Sequence, residues 1–216
     1  MLKLECAVKK DHPLKILCLG AHSDDIEIGC GGTILRLLKE YKESSAYWIV
    51  LSANAERRAE AEKSARLFLE KAARNDILVK NFRESYFPYI GDEIKLFFES
   101  LKEIRPDIIF THYRHDLHQD HRLISELTWN AFRDHHILEY EVMKYDGDIG
   151  TPNYFVHLDR RTCQKKVSQI VKSFQSQRTH HWFTEDAFLA LLRLRGIESN
   201  APEKYAEAFY CRKVVI

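Results

Sequence analysis

Four short apolar runs that alternate with segments of helical period constrain the fold of this chain most strongly. The runs are rich in Ile, Leu and Val and do not alternate with polar residues, as expected of strands that are covered on both faces. They lie at residues 15–20, 46–52, 76–80 and 107–112. Between the runs, apolar residues recur at helical spacing, which predicts amphipathic helices. These helices are predicted over residues 33–42, 55–74 and 92–104. Because alternating strands and helices are joined by right-handed crossovers, the sequence predicts a doubly wound, mostly parallel α/β sheet with helices on both faces.

The second half of the chain continues without a domain boundary. Further helices are predicted over residues 121–132, 160–174 and 184–194, and further strands over residues 139–145, 154–157 and 208–216. The turn-rich stretch 145–152 is interpreted as a loop, because the apolar periodicity resumes directly after it. With 216 residues, of which 45% are hydrophobic, the chain can bury one substantial core. We therefore expect a single Rossmann-like domain over residues 1–216.

Charge and cysteine content limit the classes of partner and compartment. The 33 basic and 32 acidic residues nearly cancel, so no overall field favours nucleic acid or a strongly charged partner. The five cysteines are odd in number, widely spaced and without a CxxC pair, which argues against a disulfide framework and against a thiolate zinc site. The chain starts without a signal-peptide pattern, and no apolar stretch approaches the roughly 20 residues that span a bilayer. We expect a cytoplasmic protein with no membrane span and a small-molecule partner.

The first apolar run ends in a polar motif that can combine metal binding with proton transfer. This motif, Ala-His-Ser-Asp-Asp at residues 21–25, lies where a ligand would bind, beyond the carboxyl end of a strand. In one tight turn, His22 and Asp25 could face a single metal ion. The side chain of Asp24 would diverge from that of its neighbour and remain free to take a proton from water. The glycines within residues 29–32 permit a sharp turn from strand to helix.

Two other interpretations of the first motif remain. A phosphate-binding loop is disfavoured, because the chain has no G-x-x-x-x-G-K-[ST] and the strand does not lead directly into G-x-G-x-x-G. A purely structural interpretation makes Asp24 or Asp25 a helix N-cap and His22 a turn residue.

A second polar motif follows the run at residues 107–112 and complements the first. It contains Asp116 and the spacing His118-x-x-His121, with Asp120 enclosed. One imidazole could be a third metal ligand, and the other, hydrogen-bonded to a carboxylate such as Asp120, could stabilise an oxyanion and protonate a leaving amine. Three protein ligands leave zinc an open position for water, whose pKa falls to about 7 there. The remaining histidines are interpreted as surface or structural residues. These are His12, His112, His115, His135, His136, His157, His180 and His181.

In these two motifs the chain resembles the LmbE/PIG-L family of zinc-dependent N-acetylglucosaminyl deacetylases, whose motifs read A-H-P-D-D and D-x-H-x-D-H. Further likeness lies in Arg57-x-x-Glu60 and at residues 174–177 and 205–209. The resemblance implies a role for each matching residue. The implied zinc ligands are His22, Asp25 and His121. The implied catalytic residues are Asp24 as general base, His118 as oxyanion stabiliser and acid, and Asp120 as the residue that orients His118. Arg57 is carried over as a substrate contact.

The resemblance implies a metal-dependent hydrolase that removes the N-acetyl group from an N-acetylglucosamine-type amino-sugar conjugate by attack of zinc-activated water. Ser23 replaces the family's proline, and residues 52–55 replace a glycine-containing stretch where substrate contacts are expected. Three alternatives remain: an amidase for a thiol conjugate, an inactive metal-stabilised sugar-binding module, and a nucleotide-binding regulator. Another divalent metal would also suit these donors. Because family members often self-associate, a homo-oligomer is expected as well.

Overall fold

The fold is a doubly wound α/β sandwich, seen in a computed structural model that describes residues 12–215. Within that range the chain forms one seven-stranded sheet and six α-helices. The strands are β1 Lys15–Gly20, β2 Ser45–Val50, β3 Arg74–Val79, β4 Ile108–His112, β5 His136–Tyr140, β6 Tyr154–Leu158 and β7 Tyr205–Cys211. The helices are α1 Asp25–Glu40, α2 Ala55–Phe68, α3 Gly91–Leu101, α4 Gln119–Ala131, α5 Arg160–Ser173 and α6 Glu185–Glu198.

The strand order is β3-β2-β1-β4-β5-β7-β6, and the first five strands run parallel. Strand β7 pairs antiparallel with both β5 and β6. The order reverses direction between β1 and β4, which is the topological switch point where open α/β sheets bind ligands. The predicted mostly parallel sheet is therefore confirmed.

Two apolar cores cover the two faces of the sheet. Along β1, Ile16 and Cys18 point into one core, while Leu17 and Leu19 point into the other. The first core is closed by α1, α2, α5 and α6, and the second by α3 and α4. This alternation explains why β1 carries no polar residues between Ile16 and Leu19: both of its faces are buried.

Helix α1 begins at Asp25, eight residues before the predicted start, so the glycines at residues 29–32 lie inside the helix and not in a turn. Close packing is the reason for glycine there. A Cβ atom on Gly29 would overlap the ring of Tyr140 in β5. Sequence periodicity cannot reveal this contact, because Tyr140 lies far along the chain.

Other element ends differ from prediction by a few residues. Helix α2 ends at Phe68, because the chain needs a turn before β3 begins at Arg74. The closing strand β7 ends at Cys211, and Ile216 of the predicted strand lies outside the described residues.

The four cysteines in the described part of the chain are free thiols, and Cys6 lies outside it. No helix between residues 12 and 215 has both the length and the apolar character needed to cross a bilayer.

Candidate metal centre

The two polar motifs meet at the carboxyl edge of the sheet, between β1 and β4. The strands are adjacent, with Cys18 of β1 opposite Phe110 of β4. After the strands the chain enters α1 on one face and α4 on the other, which opens a crevice between the two connections. The Nδ1 atom of His22 lies 3.1 Å from Nε2 of His121, although 99 positions separate the two residues. The predicted convergence of the motifs is present in the structure.

Three donor atoms form a nearly equilateral triangle in this crevice. His22 Nδ1 lies 3.1 Å from His121 Nε2 and 3.4 Å from Asp25 Oδ2, and the third edge, from His121 Nε2 to Asp25 Oδ2, is 3.5 Å. Tetrahedral zinc, at about 2.0–2.1 Å from each ligand, separates its ligand atoms by roughly 3.3–3.4 Å. The spacing and chemistry of these donors therefore fit Zn²⁺, and the imidazoles also suit other divalent transition metals.

A carboxylate holds the second ring nitrogen of each of these histidines. His121 Nδ1 lies 2.9 Å from Asp116 Oδ2, and His22 Nε2 lies 3.2 Å from Asp120 Oδ2. Each carboxylate favours the tautomer with the proton on the nitrogen that faces it, so the other nitrogen keeps its lone pair. The lone pairs of His22 Nδ1 and His121 Nε2 then point to the same place. This carboxylate-imidazole arrangement is the usual outer support of a metal-binding histidine.

Both supporting carboxylates are fixed by further hydrogen bonds. Asp116 also accepts from Lys144 Nζ at 3.0 Å and from the His118 amide at 2.8 Å. Asp120 accepts from the amides of Ser85 at 2.6 Å and of Phe87 at 3.2 Å. Ser85 adopts a left-handed φ of 63°, which is uncommon for a residue other than glycine and aims its N–H at Asp120.

Electrostatics within the site follow from burial and from these pairings. Burial opposes ionisation of Asp116, but the bond from His121 and the nearby Lys144 keep its pKa well below the usual value. Burial lowers the pKa of His22, yet its bonds to Asp120 and Asp25 outweigh that effect and raise the pKa to about 10. Burial and the neighbouring His112 lower the pKa of His121 to about 3. Without metal, His22 thus carries a second proton, on Nδ1, which a metal ion must displace before it can use that lone pair.

His118 lies at the mouth of the crevice as the N-cap of α4. Its Nδ1 accepts the amide proton of Asp120 at 3.2 Å. The Asp120 carboxylate bonds to His22, so the structure does not bring it together with His118 in the predicted way. Burial and the charge of His22 lower the pKa of His118. A neutral ring with an accepting Nδ1 carries its proton on Nε2, which leaves Nε2–H available as a donor.

Asp24 lies beside the triangle, 4% exposed, and is paired with Arg57. Arg57 Nη2 donates to Asp24 Oδ1 at 2.8 Å, while Oδ2 has no hydrogen-bond partner among residues 12–215. Burial raises the pKa of Asp24, and the positive charge of Arg57 opposes that rise. One carboxylate oxygen is therefore anchored and the other is free to accept a proton. The side chain of Arg57, predicted to contact substrate, contacts Asp24 in this structure.

The two motifs also fall within a recognised family domain. The family model PIG-L, described as GlcNAc-PI de-N-acetylase, matches residues 17–132, which is more than half of the chain. The chain belongs to the PIG-L family. All of the predicted site residues, from His22 to His121, lie within the matched range.

Solved structures from three organisms share the PIG-L fold of this chain. The conserved protein TT1542 from Thermus thermophilus is 19% identical, with a TM-score of 0.75 over 94% of this chain and 96% of that chain. N,N'-diacetylchitobiose deacetylase from Pyrococcus horikoshii is 22% identical, with a TM-score of 0.70 over 92% and 83%. GalB, the 4-carboxy-2-hydroxymuconate hydratase from Pseudomonas putida, is 14% identical, with a TM-score of 0.75 over 94% and 98%. Since a deacetylase and a hydratase share this fold, the fold alone does not select the reaction.

One residue of this PIG-L domain escaped sequence reasoning. His112, interpreted as a surface or structural residue, is fully buried at the end of β4 and stacks on His121 with ring centroids 3.8 Å apart. Its Nε2 lies 3.2 Å from Asp25 Oδ2 and accepts the Ala21 amide at 2.9 Å. The sequence contained one signal that His112 lies near the site: it is the last residue of β4, the strand beside β1.

The donor atoms around His121 allow two further groupings, His22-His118-His121 and Asp25-His112-His121. The lone pair of His112 Nε2 is engaged by the Ala21 amide, and that of His118 Nδ1 by the Asp120 amide. The triangle of His22, Asp25 and His121 has carboxylate support behind both imidazoles. Its Asp25 Oδ2 accepts the His22 amide at 2.6 Å and, as a carboxylate oxygen, keeps a further lone pair for a metal. This triangle is therefore the best-prepared donor set in the described part of the chain.

Proposed function

We propose that this protein is a metal-dependent hydrolase that removes the N-acetyl group from an N-acetylglucosamine-type amino-sugar conjugate. The observation that carries the proposal is the buried donor triangle of His22, Asp25 and His121 beside a carboxylate, Asp24, with one free oxygen. The PIG-L family description, GlcNAc-PI de-N-acetylase, supports this reaction, and the Pyrococcus protein of the same fold is named as a deacetylase of N,N'-diacetylchitobiose.

His22, Asp25 and His121 would hold the metal. A bound Zn²⁺ supplies Lewis acidity, which lowers the pKa of water and polarises the amide carbonyl. The buried ligands, with Asp116 and Asp120 behind the imidazoles, keep the three donors in place before the ion arrives.

Asp24 acts as the general base. Its free Oδ2 takes a proton from the attacking water, while Arg57 holds Oδ1 and so sets the direction in which Oδ2 points. Burial raises the pKa of Asp24, which makes the carboxylate a stronger base than an exposed one. The water oxygen forms a bond to the acetamide carbon as this proton leaves.

His118 acts on the oxygen of the reacting carbonyl. Its Nε2–H donates a hydrogen bond to the developing oxyanion, because Nδ1 is already engaged by the Asp120 amide. The C–N bond then breaks, and the leaving nitrogen takes the proton that Asp24 received from water, because the neutral His118 would become an imidazolate if it gave up its Nε2 proton. The products are acetate and a free amino sugar.

The test is acetate release from a panel of N-acetylglucosamine conjugates by the Zn²⁺-loaded protein, compared with Asp24→Asn. We expect Asp24→Asn to lower kcat by about 100-fold or more while binding of Zn²⁺ is retained. Asp186→Asn, an exposed substitution in the first turn of α6, is the matched control and keeps full activity. An Asp24→Asn variant as active as the wild type would refute the assigned base.

The same panel includes amides of thiol conjugates. Turnover of these compounds, with no release of acetate from acetamido sugars, would replace the proposal with the amidase alternative. Sugar binding without any turnover by the metal-loaded protein would favour the binding-module alternative. The substrate contact of Arg57 stays a prediction, because its guanidinium is paired with Asp24 in this structure.

A further inference from the structure

A buried ion pair lies behind the candidate metal centre and has no part in the chemistry proposed above. Lys166 of α5 and Glu207 of β7 are 2% and 3% exposed, and Lys166 Nζ lies 2.6 Å from Glu207 Oε1. Burying two charges is unfavourable, and an apolar pair of similar volume often folds as stably or more so. Stability alone therefore does not explain why these two positions are charged.

The other partners of this ion pair are backbone atoms of α1. Glu207 accepts from the amides of Gly32 at 2.8 Å and Thr33 at 2.6 Å, and Lys166 donates to the carbonyl of Ile28 at 2.6 Å. In an α-helix the amide of residue 32 donates to the carbonyl of residue 28. The ion pair thus lies at one step of the helical hydrogen-bond ladder and binds both of its ends.

Gly32 permits this close approach. A Cβ atom at this position would lie 2.9 Å from Glu207 Oε1 and 2.5 Å from Leu158 Cδ1. A cavity of about 20 Å³ beside Ile28, Lys166 and Glu207 is large enough for one water molecule, which could satisfy the remaining ammonium hydrogen.

The Ile28 carbonyl, which the ion pair contacts, lies one helical turn from the residues of the candidate metal centre. The Ile28 amide donates to the Asp24 carbonyl at 3.1 Å, and the Ile28 carbonyl accepts from Lys166. Ile28 therefore links Lys166 to the turn that carries Asp24 and Asp25. We propose that Lys166 and Glu207 are positioning residues, which fix the first turn of α1 so that Asp25 completes the donor triangle with His22 and His121.

The inference rests on the proposed metal centre and is tested by metal binding without any assay of turnover. The central variant is the double substitution Lys166→Met/Glu207→Met, which removes both charges and leaves no unpaired one. Urea unfolding, Zn²⁺ affinity from competition with a chromophoric chelator, and the visible spectrum of the Co²⁺-loaded protein are measured together. We expect wild-type stability or better, a loss of Zn²⁺ affinity of about tenfold, and an altered Co²⁺ spectrum.

Glu207→Gln is a second, nearly isosteric test that keeps one acceptor for the α1 amides. It is expected to weaken Zn²⁺ binding in the same direction. The control is Lys165→Met/Glu70→Met, which removes a neighbouring surface ion pair, joined over 3.2 Å, between α5 and the turn after α2, without touching α1. Its Zn²⁺ affinity and Co²⁺ spectrum are expected to match the wild type.

Wild-type affinity and spectrum in both the double variant and Glu207→Gln would overturn the positioning role. That outcome differs from failure of the proposed function. A wild-type protein that binds Zn²⁺ but releases no acetate would overturn the function and leave the positioning proposal intact.

Discussion

The carboxylate behind His121 provides a sharp test of how the site is organised. Asp116→Asn keeps the shape of the side chain but changes one of its two oxygens into an amide group. Asp116 Oδ2 faces His121 Nδ1 and Lys144, and Oδ1 faces the His118 amide, so both of its oxygens accept from donors. In either orientation of the asparagine, its NH₂ group meets another donor. The substitution therefore weakens the orientation of His121 whichever way the amide rotates.

The magnitude follows from the role of such carboxylates. Loss of a group that orients a metal-binding histidine lowers metal affinity by about 10- to 100-fold. This range corresponds to roughly 1.4–2.7 kcal/mol. Because Asp116 and His121 are each 2% exposed, water cannot replace the lost bond, and we expect the upper half of the range.

The assay is competition for Zn²⁺ against a chromophoric chelator at neutral pH. Asp148→Asn is the matched control, because Asp148 also pairs with Lys144, at 2.6 Å, and accepts the Leu117 amide, but does not contact His121. Its Zn²⁺ affinity is expected to equal that of the wild type. If Asp116→Asn and Asp148→Asn bind Zn²⁺ equally well, the proposed support of His121 is wrong.

Three further predictions test the packing and electrostatics around the site. Gly29→Ala places a methyl group against the Tyr140 ring and is expected to lower the free energy of unfolding by about 1–3 kcal/mol. Gly91→Ala, where an added Cβ has nothing within 4 Å, is expected to be neutral or slightly stabilising. Equal urea midpoints for the two variants would contradict the steric role of Gly29. Burial raises the pKa of Glu27 in the folded protein well above its ordinary value of 4.5. The stability that the protonated carboxyl contributes is therefore complete below pH 4.5 and is lost as the pH rises through the pKa of the folded state. Glu27→Gln removes this loss, and its stability relative to the wild type is expected to increase with pH in urea titrations; a difference that is constant with pH would exclude the effect. Since His22 has a pKa of about 10 without metal, binding of Zn²⁺ displaces one proton from it. The affinity for Zn²⁺ is therefore expected to rise about tenfold per pH unit around neutrality. Competition titrations that show no pH dependence would rule out this displacement.

The convergence of the two motifs could be predicted because it depends on strand order and local sequence. Parallel strands that end in polar residues place them at one edge of the sheet, so His22 and His121 could be brought together without knowledge of any loop. The donor types and their spacing then indicated a metal. These inferences use only periodicity and side-chain chemistry, which the sequence displays directly.

The contacts that refine the site come from distant segments and could not be predicted. Asp120 bonds to His22 because Ser85, with its left-handed φ, and Phe87 fix it from a loop more than 30 positions away. Lys144 reaches Asp116 from the loop after β5. The glycines of α1 resembled a turn because the aromatic ring that excludes a side chain at Gly29 lies in another strand. Such contacts depend on tertiary packing, which overrides local propensity.

Anomalous diffraction from crystals of the Zn²⁺-loaded protein tests the donor triangle most directly. We expect one strong peak at about 2.0–2.2 Å from His22 Nδ1, Asp25 Oδ2 and His121 Nε2, with one position open to solvent. A peak bound instead by His112 or His118, or no peak near His121, would show that these three residues do not form the metal site.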